Sequence, residues 1–376
     1  MPRFLFACDS FKGTLSSVRT AELLAEAAEK HVPGCECVAV PMADGGEGTV
    51  DALVAATGGE RVSATVSGPL GDPVDAAYGL LPDGSAVIEM AAASGLPLVA
   101  GREDILAAST LGTGQLVRDA LDHGARRVAL AIGGSATNDG GSGFLVALGA
   151  RLLDGRDEEL APCAANLGHV AALDLSGLDS RLAATGLTVM CDVDNPLLGE
   201  HGATRVFGPQ KGATPEVVER IEAGMAVYAA ALADACGRDV SQVPGAGAAG
   251  GLGAACVAVG AALRPGIDTV LDLVGFDGLL GGVDLVVTGE GRLDAQTAHG
   301  KVVSGVAAAC LRAGVPCVAV AGSVDEGYRP GDIPGLATAV SCVTRLEPLE
   351  QVLAHAEENF SAAAERLFCL LALNVA

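Results

Sequence analysis

The sequence has no tryptophan, and aromatic residues make up only 3% of its 376 positions. Hydrophobic residues still make up 50% of the chain, so its cores must be built mainly from Ala, Val and Leu. A chain of this length and hydrophobicity is long enough to form two domains with cores. The 52 glycines are neither periodic nor part of a low-complexity run. Their clustering in loops is typical of an α/β enzyme.

Positive charge is also scarce, and the formal net charge is −23. So acidic a chain repels nucleic-acid phosphates and anionic lipids, which excludes nucleic acid and membranes as general partners. Lysine is the rarer of the two basic residues, yet Lys12, Lys211 and Lys301 each adjoin a glycine in a polar loop. Because lysine is a common phosphate ligand, these positions indicate locally positive sites for a small anion.

The eleven cysteines form no C-x-x-C pair. This favours free thiols in a reducing compartment over a disulfide framework or a zinc site. The apolar start Phe4–Phe6 is cut short by Asp9, so we expect no signal peptide. Residues 240–263 carry no charge, but Pro244 and six glycines make them a poor membrane-spanning helix. The sequence therefore predicts a cytoplasmic protein.

The first sixty residues alternate strands and helices. Arg3–Cys8 and Cys37–Val40 are predicted strands, and each is followed by a polar loop and a helix. Such alternation predicts a parallel sheet whose ligand crevice lies at the carboxyl ends of its strands. Three further strands at 60–66, 74–81 and 86–90 have only turns between them, which predicts an antiparallel region and a change of domain.

The strand, polar loop and helix pattern then resumes, so a parallel-sheet domain is expected to include both ends of the chain. Residues 151–181 are polar and without pattern, which predicts a flap or linker. The remaining predicted elements are strands at 128–132, 187–190, 284–287, 316–321 and 337–343, and helices at 113–121, 215–235, after the glycine loop 245–253, after Lys301 and at 349–371.

The loop Gly133–Gly143 follows the strand at 128–132 and precedes a predicted helix. Glycines allow close approach to a ligand, and a helix N-terminus presents unpaired N–H groups, so this loop is a candidate anion site. A capped turn is the alternative. Glycine combines with acids, amides or lysine in six strand-end loops, at residues 9, 44, 133, 192, 208 and 289. Backbone donors, lysines and acids able to hold Mg²⁺ are the parts that phosphoryl transfer needs.

Other catalytic signatures are absent: the sequence has no P-loop, no G-x-S-x-G and no H-E-x-x-H. Gly245–Gly250 matches G-x-G-x-x-G, which would suit an NAD(P)-dependent hydroxy-acid oxidoreductase, but residues 240–244 are short and end in proline. Close helix packing is therefore the favoured interpretation of this motif. A non-enzymatic anion-binding protein is a third alternative. His201 and His299 lie in motif loops, where a plain polar contact is expected.

Glycine-rich and acidic motifs follow one another along nearly the whole chain: Asp9–Gly13, Ala43–Thr49, Ile132–Gly141, Cys191–Leu197, Gly202-Ala203, Phe207–Ala213, Ala249–Gly253, Thr288–Thr297 and Gly300-Lys301. These motifs, in this order, resemble the bacterial glycerate kinase family. The chain departs from the family at Val303, where proline is common, and at Val18-Arg19, which replace an acidic stretch.

The resemblance implies two unlike α/β domains with the active site in the cleft between them. One is Rossmann-like with a mainly parallel sheet, and the other is inserted and has a mixed sheet. The predicted bounds are 1–60, 95–150 and 280–376 for the first, and 61–94 and 151–279 for the second. The resemblance also implies ATP- and Mg²⁺-dependent phosphorylation of D-glycerate, within glycerate and glyoxylate metabolism, by a monomer or homodimer. The favoured product is 2-phosphoglycerate, with 3-phosphoglycerate as the alternative.

With this reaction in view, we assign site residues by role. The catalytic candidates are Lys12, Lys211, Asp192 and Arg292, with Asp192 as base or orienting acid and Lys211 and Arg292 as partners of carboxylate or transition-state charge. The nucleotide-binding candidates are Gly133, Gly134, Ser135, Thr137, Asn138, Asp139, Gly289, Gly291 and Lys301. The candidates for substrate binding are Asp9, Ser10, Gly45, Gly46 and Asn195. The candidates for metal binding are Asp44, Glu47, Glu290 and Asp294.

Overall fold

The computed structural model describes residues 1–294, 301–343 and 347–373. The chain divides into two compact units. The first comprises Met1–Asp44, Asp51–Gly59 and Gly266–Ala376, and the second comprises Gly45–Val50 and Glu60–Pro265. No helix of the described part is both long and apolar enough to cross a membrane.

The described strands are β1 Arg3–Cys8, β2 Glu36–Ala39, β3 Glu60–Ser67, β4 Pro73–Leu80, β5 Ser85–Glu89, β6 Arg127–Ala131, β7 Arg151–Leu153, β8 Ala172–Asp174, β9 Gly186–Met190, β10 Ala262–Arg264, β11 Leu285–Leu293, β12 Cys317–Val324 and β13 Leu336–Ser341. The described α-helices are α1 Ser17–His31, α2 Thr49–Thr57, α3 Ala91–Ser94, α4 Leu111–Asp122, α5 Ser142–Ala147, α6 Ala203–Phe207, α7 Pro215–Cys236, α8 Ala248–Ala258, α9 Gly266–Leu273, α10 Phe276–Leu279, α11 Val302–Ala313, α12 Leu349–Ala354 and α13 Ala356–Ala372.

The first unit is built on a parallel sheet with the strand order β13-β12-β11-β1-β2. Its few aromatic residues are concentrated where α13 packs on this sheet. Phe368 lies 5.3 Å from Phe4 and 6.0 Å from Phe6 between ring centroids, and Phe360 packs edge-on against Phe11. Burying such large side chains stabilises the docking of α13 by roughly 1.5–3 kcal/mol per ring.

The second unit is built on a mixed sheet with the order β10-β9-β6-β5-β4-β3. Strands β10, β9, β6 and β5 run parallel, whereas β4 and β3 are antiparallel to their neighbours. Its core is dominated by small and branched aliphatic residues, as the composition predicts. The predicted fold class, with one parallel and one mixed α/β unit, is confirmed.

The predicted domain bounds are wrong for residues 45–50, 95–150 and 266–279, of which 45–50 belongs to the second unit. Strand β6 lies between β5 and β9, so 95–150 belongs to the second unit, and α9 and α10 belong to the first. The βα pattern alone could not assign a parallel strand to one of two sheets that both contain parallel strands. The expected location of the active site between the domains stays a prediction.

Three predicted elements also differ. Residues 151–181, predicted as a flap or linker without pattern, contain regular structure, because β7 pairs with β8 and a 3-10 helix spans Ala164–His169. Strand β11 continues to Leu293 because it pairs with β12 as far as Leu293↔Val324, so Thr288–Leu293 is strand rather than loop. The closing helix is divided at His355 into α12 and α13.

Candidate active site

A cavity of about 370 Å³ lies in the first unit, beyond the carboxyl ends of its parallel strands. This is the edge where open α/β sheets bind their ligands. Nine predicted site residues line it: Asp9, Ser10, Lys12, Asp44, Glu290, Gly291, Arg292, Asp294 and Lys301. Residues far apart in the sequence thus meet at one edge of the sheet, and their individual roles stay predictions.

Asp9 directly follows β1 and is anchored from both sides. Its backbone N–H donates to the Gly289 carbonyl at 2.8 Å, and its carboxylate accepts the Ser10 N–H at 2.7 Å. Burial and the nearby Asp44 carboxylate raise the pKa of Asp9 to about 7, against the opposing effects of the Ser10 N–H and Lys12. The cavity therefore holds a carboxyl group that changes charge near neutral pH.

Strand β11 pairs with β1 and supplies further polar side chains to the cavity. Glu290 is 5% exposed, and Arg292 is exposed, with its guanidinium 3.7 Å from Asp294 and 3.8 Å from Asp325. Gly291 also lines the cavity, but Gly289 does not. A Cβ on Gly289 would lie 2.2 Å from the Val320 carbonyl oxygen, so this glycine permits close packing of β11 against β12. Gly289 therefore has a packing role outside the cavity lining, and its contact with a nucleotide stays a prediction.

Lysine approaches the cavity from two elements. Lys12 is exposed in the loop after β1, and Lys301 occupies the position before the first residue of α11. The N-terminus of this twelve-residue helix adds partial positive charge beside Lys301. Residues 295–300 precede it and include His299, which lies outside the described residues. Two ammonium groups and a guanidinium can together bind an anion such as a polyphosphate.

The predicted metal ligands divide between the two units. Asp44, Glu290 and Asp294 line the cavity of the first unit, whereas Glu47 is exposed in the second. The described residues contain no group of three or more His, Cys, Asp or Glu side chains arranged to hold a metal ion. Mg²⁺ nevertheless retains several waters and takes only one or two carboxylates when it binds with a phosphate ligand, so the oxygen donors of this cavity suit it.

In the second unit, the loop after β6 is folded tightly against the end of α3 and the 3-10 helix Leu96–Val99 that follows it. The Gly134 carbonyl accepts the Leu96 N–H, and the Ala136 N–H donates to the Ser94 carbonyl, both at 2.9 Å. Gly133 and Gly134 are exposed, while Ser135 is only 7% exposed. The exposed backbone at Gly133 and Gly134 is therefore the part of this loop that a ligand can reach.

Lys211 lies beneath this loop and is 2% exposed. Its Nζ donates to Ser135 Oγ at 2.7 Å and to the Thr137 carbonyl at 2.6 Å. Burial lowers the pKa of Lys211 to about 7, although the nearby Asp139 acts in the opposite direction. The lysine therefore fixes the loop from inside, and its predicted contact with a substrate carboxylate stays a prediction.

Asp139 has no exposed surface. Its carboxylate accepts the backbone N–H and hydroxyl of Thr110 at 2.8 and 2.9 Å, and the N–H groups of Gly141 and Gly143, each at 3.1 Å. Burial raises the pKa of Asp139 despite these hydrogen bonds. This acid joins the start of α4 to the start of α5, so the structure gives it a role in holding the loop.

Thr137 and Asn138 are fully buried, and Asn138 Nδ2 donates to Thr204 Oγ1 at 2.8 Å. Gly250 packs directly on them: its φ is +68°, and a Cβ there would lie 2.0 Å from the Thr137 carbonyl oxygen. Residues 240–247, which precede α8, form turns and no strand. The glycines of the G-x-G-x-x-G motif therefore allow close packing, as predicted, and lack the strand that a dinucleotide site requires.

The loop Gly45–Val50 reaches the same part of the second unit. A Cβ on Gly133 would lie 3.5 Å from the Gly45 carbonyl oxygen and 3.6 Å from Gly46 Cα. The Val50 N–H donates to the Glu89 carboxylate at 2.8 Å, which anchors the end of this loop beside β5. The structure thus brings the predicted substrate ligands Gly45 and Gly46 next to the exposed glycines of the β6 loop.

The loop after β9 carries the other predicted catalytic acid. Asp192 is exposed there. Asn195 holds the loop: its side-chain amide donates to the His201 carbonyl at 2.8 Å, and its backbone carbonyl accepts the Gly247 N–H at 2.9 Å. The predicted substrate contact of Asn195 stays a prediction, whereas its role in shaping the loop that carries Asp192 is observed.

One part of the first-unit cavity was not identified from the sequence. Its apolar wall consists of Val343, Leu349, Val352, Leu353 and Ala356. The spacing of the residues at 349, 352 and 353 is that of one helical face, which alone predicts a buried core helix. The structure instead places these side chains around an open cavity.

The glycerate kinase family model matches residues 4–372 of the chain. The chain is 46% identical over 365 residues to the glycerate kinase of Bacillus subtilis (strain 168), with 96% of each chain covered. It is 41% identical over 376 residues to the glycerate 2-kinase of Escherichia coli (strain K12), with 99% of each covered. A crystal structure assigned as glycerate kinase 2 from Salmonella typhimurium LT2 matches with a TM-score of 0.91 and 44% identity, covering 99% of both chains. The family match, the relatives and the fold agree, and the chain belongs to the glycerate kinase family.

Proposed function

We propose that this protein transfers the γ-phosphoryl group of ATP to D-glycerate and forms 2-phosphoglycerate. The names of its relatives support the reaction, and the relative from Escherichia coli is named for the 2-position. The observation that carries the proposal is the cavity of the first unit, where Lys12, Lys301 and Arg292 meet the carboxylates of Asp44 and Glu290. A polyphosphate with its metal ion requires this combination of charges.

Within that cavity, Lys12 and Lys301 bind the phosphates, and Arg292 stabilises the charge that develops on the transferred group. Asp44, Glu290 and Asp294 are the carboxylates that would hold Mg²⁺ beside the phosphates. The ion would supply further neutralisation of phosphate charge. Asp9, whose pKa is raised to about 7 by burial and by the Asp44 carboxylate, is proposed with Ser10 to contact the substrate.

In the second unit, the exposed backbone of Gly133 and Gly134 is proposed to bind an oxyanion, supported by the Lys211–Ser135 hydrogen bond below it. Asp192 is the proposed base. It accepts the proton of the attacking glycerate hydroxyl as the new O–P bond forms and the bond from the γ-phosphorus to the bridging oxygen breaks, releasing ADP. Its exposure permits direct contact with a small substrate.

The eleven free thiols support a reducing, cytoplasmic location as a further part of the proposal. The function is tested with an assay of ADP release from MgATP. ADP release that requires D-glycerate and Mg²⁺ is the expected result. Glycerate-dependent reduction of NAD(P) would instead support the oxidoreductase alternative, and binding of nucleotide or glycerate without turnover would support an anion-binding protein.

A further inference from the structure

The apolar wall of the first-unit cavity contains large hydrophobic side chains that are exposed to solvent. Leu349 is 70% exposed, Leu353 49% and Val343 37%, and all three line the same cavity. Single exposed apolar side chains are common, but a group of them around a concave surface marks a binding site.

The wall is not required for the core. Helix α12, which carries Leu349 and Leu353, has no buried residue, whereas α13 is fixed to the sheet by Phe360 and Phe368. The apolar side chains of α12 therefore face the cavity without a packing role that explains them. Such a helix gains its main stabilising contacts when a ligand covers this face.

Other residues that line the cavity are charged: Lys12 and Lys301 provide ammonium groups, and Asp44, Glu290 and Asp294 provide carboxylates. A nucleoside triphosphate combines partners for both kinds of surface, with a flat and weakly polar base at one end and a metal-bound polyphosphate at the other. The volume of about 370 Å³ falls within the range of roughly 300–1,000 Å³ typical of small-molecule sites.

We infer that the base of the donor nucleotide binds against Val343, Leu349, Val352 and Leu353, with its triphosphate directed toward Lys12 and Lys301. Asn359 lines the same wall, and its amide can both donate to and accept from the edge of a base. This inference rests on the proposed use of ATP. It assigns the nucleoside to the first unit, to residues that the sequence analysis predicted only as parts of a strand and of the closing helix.

Leu353→Asp is the decisive variant, because it places a charge against the base at a position where exposure makes folding insensitive to it. We expect its KM for ATP to rise at least tenfold while its KM for D-glycerate and its kcat change less than twofold. Leu353→Met keeps the apolar contact, so its KM for ATP should rise less than that of Leu353→Asp. Leu370→Asp is the matched control, since Leu370 is 64% exposed on α13 and does not line the cavity.

Calorimetric titration with MgADP separates this inference from the proposed reaction. If the wild type binds MgADP and Leu353→Asp binds it at least tenfold more weakly, the assigned binding site for the nucleotide base is supported. This holds even when no glycerate-dependent turnover is found. An active wild type whose affinity for ATP and MgADP is unchanged by Leu353→Asp would overturn the inference and leave the reaction intact. A change in molar mass by light scattering, with unchanged nucleotide affinity, would show that a second copy of the chain covers the wall and would also overturn it.

Discussion

Charged side chains line the cavity of the first unit, whereas Asp139 in the glycine-rich loop of the second unit and Lys211 beside that loop are buried and hydrogen-bonded. Lys12 is exposed beside the cavity, but Lys211 is 2% exposed and bonded to Ser135 and Thr137. Both regions follow parallel strands and combine glycine with acids and lysine. A glycine-rich loop after a parallel strand can therefore act in two ways. Its side chains can bind a ligand directly, or they can hold the loop so that its backbone is exposed to the ligand.

Asp192 and Asp139 form the sharpest contrast, because one acid is exposed and the other has no exposed surface. We expect Asp192→Asn to lower kcat roughly 10³-fold, since the proposed base is lost, with little change in the free energy of unfolding. Steady-state kinetics and urea unfolding measure the two effects. Near-normal turnover in this variant would show that Asp192 is not the catalytic base.

Asp139→Ala should act on stability instead. It leaves buried N–H groups of Thr110, Gly141 and Gly143 without their acceptor, which costs about 3 kcal/mol of unfolding free energy. The control is Asp234→Ala on the exposed side of α7, for which we expect a change within about 0.5 kcal/mol. Urea unfolding measures the unfolding free energy of both variants. Equal values for Asp139→Ala and Asp234→Ala would contradict the role of Asp139 in holding the loop.

Lys12→Met tests the first-unit cavity. Loss of a phosphate-binding ammonium should lower kcat/KM for ATP at least roughly 30-fold, or about 2 kcal/mol. Lys30 offers a matched control, because it is exposed on α1 and paired with Glu365. Lys30→Met should leave kcat/KM within twofold of the wild type, and an equal loss in both variants would show that only net charge matters.

The smallest predicted effect is the pH dependence of stability caused by Lys211. Because burial lowers its pKa to about 7, the unfolded chain binds more protons than the folded one from there up to the ordinary lysine pKa. The stability of the wild type relative to Lys211→Met should therefore rise with pH above 7, by up to about 1.4 kcal/mol per unit. Below pH 7 the difference should be flat. If the unfolding free energies of the wild type and Lys211→Met changed in parallel from pH 6 to 9, the lowered pKa of Lys211 would be contradicted.

The contrast between these two regions also marks what the sequence could and could not predict. Hydrophobic spacing located most strands and helices, and the strand-end loops predicted a ligand edge that includes Asp9, Lys12 and Glu290. These residues line one cavity together with Lys301. Spacing did not reveal that Thr137, Asn138 and Asp139 are buried, because a cap and a ligand use the same residue types.

Two other failures have physical causes. The sheet that contains β6 depends on long-range pairing with β5 and β9, which local patterns do not encode. Leu349 and Leu353 have the spacing of a core-facing helix, yet they are exposed around the cavity. Periodicity reports which side chains share a face and does not report whether protein or ligand covers it.

The central claim is phosphoryl transfer to the 2-hydroxyl of D-glycerate, and the phosphorus NMR spectrum of the product tests it most directly. With MgATP and D-glycerate, we predict that the γ-phosphorus signal is replaced by that of 2-phosphoglycerate, with equal formation of ADP. A 3-phosphoglycerate signal would contradict the assigned position, and an unchanged ATP spectrum in the presence of glycerate would contradict the reaction itself.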